Sequence, residues 1–418
     1  MPRHQQIVEL HERETRLFSR SDLIDTHGRS LILPETRALS AIELREALDG
    51  IQLRVLGYIG YLPLTSDIVL NLRPKFPTES LWYMLDIAND SFEEVLPVVR
   101  SYQLSDETPP HHLLVRAFCQ YLGKLLASGL WRGYERARYE GYYQPKVLFG
   151  QTLGRFAPRG NEISTVSEVF AFTSDLPPNR FLKAACLKFL NLTPRDPSWI
   201  FEREKLASAL EALQNIRATS MFLEDLDAAD QVPMRIRPLY RGALAVYAIL
   251  LGYTRIGFAY AARGSELPSF LFCLDDVFEN FVRNTCRSGL RPAGLSVADG
   301  NKPSNFQSLF ADNRRFPIKP DLICRRGNAV IAIGEVKYKP RIEESDRYQV
   351  ISHVIAAGAP LGIWISPAAT DEDAGLEYIG KMPTGAKFYH FKLYIGGQLP
   401  SACARMVAAL EALLNTTG

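Results

Sequence analysis

The stretch Lys319-Pro320-Asp321-Leu322-Ile323-Cys324-Arg325-Arg326-Gly327-Asn328-Ala329-Val330-Ile331-Ala332-Ile333-Gly334-Glu335-Val336-Lys337 decides how the C-terminal part of this chain is read. Two short apolar runs, at 318–324 and 329–338, flank the turn Arg325-Arg326-Gly327-Asn328, the pattern of a β-hairpin. Side chains alternate along a strand, so Glu335 and Lys337 share a face with Ile331 and Ile333. A carboxylate and an ammonium at the end of an apolar face are costly unless paired or metal-bound. The hairpin can bring Asp321 beside Glu335. Close carboxylates repel, which raises one pKa. A hard divalent cation removes that conflict, so the pair reads as an Mg²⁺ site, with Mn²⁺ as a substitute.

Phosphodiester hydrolysis calls for such a grouping. A metal polarises the scissile phosphate and lowers the pKa of a bound water, while an ammonium steadies developing negative charge. Lys337 suits that role as a compact point charge. Glu279, one residue past the apolar Phe278 on the preceding helical stretch, is a candidate third carboxylate at the metal edge. The competing reading is a surface salt bridge from Lys337 to Glu335 or Asp321.

Around this hairpin the order is regular. A helical pattern at 269–287 and a loop rich in Asn, Pro and Ser precede it. A helix at 344–357, strands at 361–365 and 388–395, and a closing helix at 401–414 follow. Helix, hairpin, helix and strand make a layered α/β unit over 263–418. Eight basic residues fall within 28 positions: Arg314, Arg315, Lys319, Arg325, Arg326, Lys337, Lys339 and Arg341. Such a local excess attracts a duplex and positions it through phosphates. Arg325 and Arg326 read equally well as solubilising turn residues. Asp346 and Gln349 lie one helical turn apart, so both can face the site; alternatively Ser345 caps that helix and Asp346 favours its dipole.

The first 105 residues read as a β-rich mixed α/β domain. Ser40-Ala41-Ile42-Glu43 has the capping-box spacing and predicts a short helix that Asp49-Gly50 closes. Strand-like runs follow at 51–61 and 67–72, joined by a turn containing Pro63, and a helix runs from Thr78 through Ile87. The domain suits either partner docking or a structural role. From 106 to 262 the spacing is mostly helical, with apolar faces at 114–126, 178–191, 199–215 and 237–252. Within it, residues 131–143 interleave basic and aromatic side chains, a pattern fit either to track a nucleic acid backbone or to form a solvated face with rings plugged into a neighbouring helix.

Composition narrows the classes. The chain has 418 residues, 47% hydrophobic and 22% charged, enough for two or three domains with real cores. No run of about 18 to 20 uncharged apolar residues occurs, which argues against a membrane span. The start, Met1-Pro2-Arg3-His4, lacks the order of a secretion signal, so a cytoplasmic address is expected. Six scattered cysteines without a Cys-x-x-Cys pair point to buried thiols rather than zinc or disulfides. The formal net charge of +2 leaves nucleic acid binding to local clustering. Gly123-Lys124 and Gly380-Lys381 lack the rest of a P-loop, so no nucleotide is expected on this chain itself.

With these residues in view, the hairpin resembles the PD-(D/E)xK nuclease superfamily. The chain as a whole resembles the McrC family, the nuclease subunits of McrBC-type modification-dependent restriction systems. The likeness is carried by Ile68-Val69-Leu70-Asn71-Leu72-Arg73-Pro74-Lys75, by the helix with Leu81, Met84 and Leu85, and by Asp175-Leu176-Pro177-Pro178-Asn179-Arg180. It is carried further by the helix at 274–282, Lys319-Pro320-Asp321, Glu335-Val336-Lys337-Tyr338-Lys339 and Asp346-Arg347-Tyr348-Gln349. The resemblance implies Asp321, Glu335 and Lys337 as catalytic, with Glu335 where other members have Asp. It implies Glu279 as the helix glutamate and Gln349 as a residue assisting water or DNA. It further implies a C-terminal restriction-endonuclease-like fold, Mg²⁺ and double-stranded DNA. The partner it implies is a hexameric McrB-like AAA+ NTPase that docks on the N-terminal half and whose hydrolysis this chain stimulates. A second copy of the complex is expected for double-strand cleavage. A motor-independent nuclease and a non-catalytic adaptor between an AAA+ ring and DNA are the alternatives.

Overall fold

The computed structural model describes residues 6–88, 110–144, 146–193, 197–221, 223–255, 259–262, 265–268, 270–313, 315–339 and 341–416. The fold is mixed α/β and divides into two compact units, one of residues 1–114 and 249–418, the other of 115–248.

In the first unit a five-stranded sheet has the order Gln6–His11, Ile68–Arg73, Tyr58–Pro63, Phe270–Cys273 and Thr254–Arg255. Its first pair is parallel; Tyr58–Pro63 runs antiparallel to both Ile68–Arg73 and Phe270–Cys273. Leu10, Leu62, Leu70 and Leu271 close one core beneath it. The C-terminal part of the chain therefore starts inside the N-terminal sheet. Phe270-Leu271-Phe272-Cys273 had the apolar density of a helix start, but a short apolar run is ambiguous until a pairing edge is available. Tyr58–Pro63 supplies that edge, and the helix begins later, at Leu274–Leu290.

The helix expected after Ser40 is absent. Residues Ile42–Ala47 form a strand, paired antiparallel with Gly50–Val55, which also pairs with Thr15–Phe18. Apolar and polar residues alternate from Ile42 to Arg45, a strand period that the capping spacing obscured. Ser40 takes the left-handed φ of 50°, and a Cβ on Gly50 would meet the Phe18 carbonyl at 2.3 Å. Leu48-Asp49 thus turn a hairpin into Gly50, which pairs with Ala47, rather than closing a helix.

The largest sheet among the described residues of this unit has six strands, ordered Leu295–Ala298, Leu322–Arg326, Ala329–Val336, Leu361–Ala368, Lys387–Tyr394 and Gly375–Lys381. The hairpin is confirmed, Leu322 pairing with Gly334 and Ile323 with Ile333. Pro317-Ile318 leaves it to pair with Gln307-Ser308, because Pro320 has no N–H to donate to a ladder. Ala329–Val336 and Leu361–Ala368 are parallel, joined by the helix Glu344–Ala357. That helix covers the face carrying Ile323, Ile333, Trp364 and Phe388, burying Val350 and Val354. The edge strands Leu295–Ala298 and Gly375–Lys381 were not read from sequence; the first is only four residues, and the second is largely exposed.

The helix Thr78–Ala88 packs on Leu274–Leu290, with Tyr83 edge-on to Phe281 at 6.2 Å. The Asn284 amide donates to the carbonyls of Ile87 and Ala88, satisfying helix-end acceptors.

The second unit holds the helices Pro177–Leu192 and Ile200–Ala212 and parts of Pro110–Ser128 and Arg237–Tyr253. Phe118 and Phe189 stack at 4.4 Å in its core. The interleaved segment is a strand, Gly133–Gly141, paired antiparallel with Thr165–Thr173. Its rings face solvent; Tyr134 lies 5.1 Å from Phe172 across the hairpin instead of plugging into a helix. All six cysteines are buried and free. Among the described residues no helix is long and apolar enough to cross a membrane.

Candidate functional site

The site forms where the hairpin strands end. Asp321 stands one position before Leu322 and Glu335 one position after its partner Gly334, so the register sets the two acids side by side. Asp321 is 6% exposed and Glu335 fully buried. The Val336 N–H donates to Asp321 Oδ2 at 2.8 Å. Glu335 is held on both sides: Lys337 Nζ donates to its Oε2 at 3.2 Å, and His353 Nδ1 lies 2.7 Å from its Oε1. Glu335 has the parity of Ile333, so it faces the helix Glu344–Ala357, which is how His353 reaches it.

Burial, reinforced by the charges of Glu335 and Glu279, pushes the Asp321 carboxyl up to about 9. Burial also raises Glu279, although Arg283 opposes it. At Lys337 burial works against the ammonium, but the Glu335 and Asp321 carboxylates outweigh it and raise its pKa.

Glu279 projects from Leu274–Leu290 into the same electrostatic field, but its carboxylate accepts from Arg283 Nη1 at 3.0 Å. Arg283, itself buried, also bridges to Asp299 at 3.2 Å and donates to the Asp321 carbonyl at 3.4 Å. Among the described residues no three His, Cys, Asp or Glu side chains converge as a ready metal cage. Asp321 and Glu335 alone nevertheless fit a hard cation. They are adjacent oxygen donors that repel each other and that Lys337 offsets only at Glu335, and Mg²⁺ is ordinarily held by one or two carboxylates.

Other expected residues are distributed unevenly. Gln349 is exposed and lines a cavity of about 460 Å³ together with Arg315, Lys319 and His353, rather than touching the acid pair. Lys339 binds Asp346 at 2.6 Å and Glu343 at 3.3 Å. Asp346 is a capping-box residue, accepting from the Glu343 N–H, so Glu343 rather than Ser345 is the N-cap. Arg325 and Arg326 sit at the turn end of the hairpin, away from the acids. Arg326 donates to the Leu414 carbonyl and to Asn415 Oδ1, tying down the last helix. Arg341 is exposed, and Arg314 lies outside the described residues.

Three residues went unread. His353 and Arg283 are single residues on amphipathic helices, signalled only by the faces they share with Gln349 and Glu279. Glu12 is more remote: it is 2% exposed and accepts from the Tyr338 hydroxyl at 3.0 Å, while Arg13 spreads over the Tyr338 ring and binds Asp275 at 2.7 Å. The N-terminal segment thereby fixes the residue next to Lys337.

A mixed sheet packed with helices, with two buried acids and a lysine at the ends of neighbouring interior strands, places the protein among the layered α/β folds. The chain belongs to the McrBC family: the family described as McrBC 5-methylcytosine restriction system component matches residues 53–362. No curated protein matches the chain. Among solved structures, it is similar to a chain of the refined half-complex from the tetradecameric assembly of Thermococcus gammatolerans McrB AAA+ hexamers with bound McrC. That likeness has 15% identity, covers 98% of this chain and 100% of that one, and has a TM-score of 0.52. A chain in the cryo-EM structure of the Thermococcus gammatolerans McrBC complex matches at 16% identity over 68% of this chain and 88% of that one, with a TM-score of 0.39. The shared fold is that of the first.

Proposed function

We propose that this restriction-system component is its DNA-cutting subunit, an Mg²⁺-dependent endonuclease of PD-(D/E)xK type activated by an McrB-like AAA+ ring whose nucleotide hydrolysis it stimulates. The observation that carries the reading is the acid pair: two carboxylates withdrawn from water side by side, one pushed up to about 9, with an ammonium 3.2 Å from the other. Lys337 offsets one of the two acids, and the other keeps its proton until a further positive charge arrives.

Asp321 and Glu335 would hold the metal, which when bound polarises a phosphate and acidifies a water. The Val336 N–H and His353 fix the two acids, so little reorganisation is needed when substrate arrives. Lys337, kept protonated by the acids, lies beside them to meet charge developing on the phosphate. Arg315, Lys319 and Arg341 remain exposed for the DNA backbone, whereas Lys339 and Arg326 serve the fold. The AAA+ partner rests on the family and on the partner named for the Thermococcus gammatolerans assembly. A cytoplasmic setting and pairing of two complexes for a double-strand break go with this role.

The test is plasmid cutting by the chain co-purified with the AAA+ protein it binds, with Mg²⁺ and nucleotide. Asp321→Ala and Lys337→Ala should abolish cutting while the complex still forms. Undiminished cutting by both variants removes the assignment. Full cutting by the isolated chain would instead favour a motor-independent nuclease.

A further inference from the structure

The proposed chemistry uses the acid pair but leaves the cavity beside it unexplained. One wall is a ribbon in which Gln307-Ser308 pairs with Pro317-Ile318 and the Leu309 N–H donates to the Phe316 carbonyl at 2.8 Å. The other is the helix Glu344–Ala357. The cavity, of about 460 Å³, is within the range of sites that take small organic groups. It is lined by Phe316 and the cations Arg315 and Lys319 on one side, and by Gln349, Ser352 and His353 on the other. His353 is also the residue bonded to Glu335, so the cavity adjoins the acid pair through one side chain.

The ribbon exposes aromatic surface that its own fold does not use. Phe310 is 50% and Phe316 53% exposed, edge to face at 5.8 Å. Phe306, at the ribbon base, carries Lys319 Nζ 5.3 Å above its ring. Scattered exposed rings are ordinary. Rings interleaved with cations at the rim of an acidic site are not, and Asp312 alone dilutes the positive charge along the ribbon's described residues. Flat apolar faces bind flat apolar groups, the cations demand an anion attached to them, and an amide and a hydroxyl can pair with a polar ring edge. A nucleotide combines all three properties.

We propose that this cavity is a nucleotide subsite, in which Phe316 stacks on a base displaced from the DNA helix next to the phosphate presented to Asp321 and Glu335. The proposal rests on the nuclease reading and deepens it. In a paired, stacked duplex both base faces are covered, so occupancy requires one nucleotide to leave the stack. Arg315 and Lys319 hold the flanking phosphates, and Gln349 meets the base edge. The preferred substrate is then DNA with a locally opened nucleotide rather than uniform duplex.

The experiment uses the full chain carrying Asp321→Asn, which prevents cutting, and two duplexes of one sequence. One duplex is fully paired and the other carries a single unpaired nucleotide; fluorescence anisotropy gives both affinities at fixed salt. The opened duplex should bind about five- to tenfold more tightly. Phe316→Ala should bring that ratio close to one, Phe316→Trp should preserve it, and Arg315→Ala should weaken both duplexes alike. Equal affinity in the parent chain, or an unchanged ratio in Phe316→Ala, overturns the subsite. The nuclease reading is judged separately by the loss of cutting in Asp321→Ala.

Discussion

Asp175 and Asp321 lie one in each unit of the molecule, the first partly exposed and the second buried, and their surroundings treat them in opposite ways. Burial opposes ionisation of Asp175, but Arg180 and Arg217 more than compensate and lower its carboxyl to about 2. Arg180 Nε donates to Oδ1 at 2.8 Å and Arg217 Nε to Oδ2 at 2.7 Å, while Arg180 also binds Glu135 at 2.7 Å. Beside them Asn179, fully buried, donates to the carbonyls of Trp131 and Ser174 and accepts from the Tyr240 hydroxyl at 2.5 Å. Every charge in that cluster meets its opposite. Around Asp321, burial and the like charges of Glu335 and Glu279 outweigh Lys337 and the Val336 N–H, and its carboxyl is raised to about 9. The first arrangement holds a fold together; the second is the one we propose binds a cation. A charged neighbour of opposite sign lowers a carboxyl and a like charge in a buried setting raises it, and the raised acid is the one our proposed function uses.

The contrast can be broken most forcefully at the acid pair. Asp321→Asn or Lys337→Ala should lower cutting by about a thousandfold or more in a time course with the AAA+ partner present. In the metal-free chain Asp321→Asn should also stabilise. The folded acid keeps its proton from its ordinary 3.8 up to about 9, whereas the unfolded one releases it. Stability therefore falls as pH rises through that window, and the Asn variant should flatten the slope seen in urea melts. Added Mg²⁺ should raise the parent's melting midpoint at pH 8 and leave Asp321→Asn unmoved.

Asp175 should show the reverse sign. Its stabilisation is complete above 3.8 and is lost as pH falls towards 2. Asp175→Asn should cost about 1 kcal/mol at neutral pH in urea unfolding, because Arg180 and Arg217 lose a counter-charge that solvent already partly screens. A smaller effect is expected at His353. Removing its bond to Glu335 in His353→Ala should slow cutting roughly tenfold without dissociating the partner, as outer supports of a metal-binding acid typically do. Smallest is Arg326→Ala, which should cut DNA within about twofold of the parent and lose roughly 0.5 kcal/mol from the end of the last helix. A large cutting defect there would return the hairpin turn to the DNA-binding surface.

Where reading succeeded, the signal was local and repeated. The helix Glu344–Ala357 was legible to the residue, and the hairpin with Asp321, Glu335 and Lys337 was legible because alternation and one turn suffice to place all three. Where it failed, a local signal was ambiguous and a distant edge decided. Ser40-Ala41-Ile42-Glu43 carries the letters of a helix start, but Gly50–Val55 offers a ladder. Phe270-Leu271-Phe272-Cys273 waits on Tyr58–Pro63, some 210 residues earlier. The basic cluster was legible as a count but not as a surface, since Lys339 and Arg326 spend their charge inside the fold.

By itself, then, the order of residues determined the hairpin, the side-by-side acids with their lysine, and the family, because alternation, turn chemistry and motif spacing act over a few positions. Only the tertiary structure decided which charges are neutralised and which are left in need. The answer to that depends on His353, Arg283 and Glu12, delivered by separate elements, and Coulomb energy and desolvation respond to distance in space rather than along the chain.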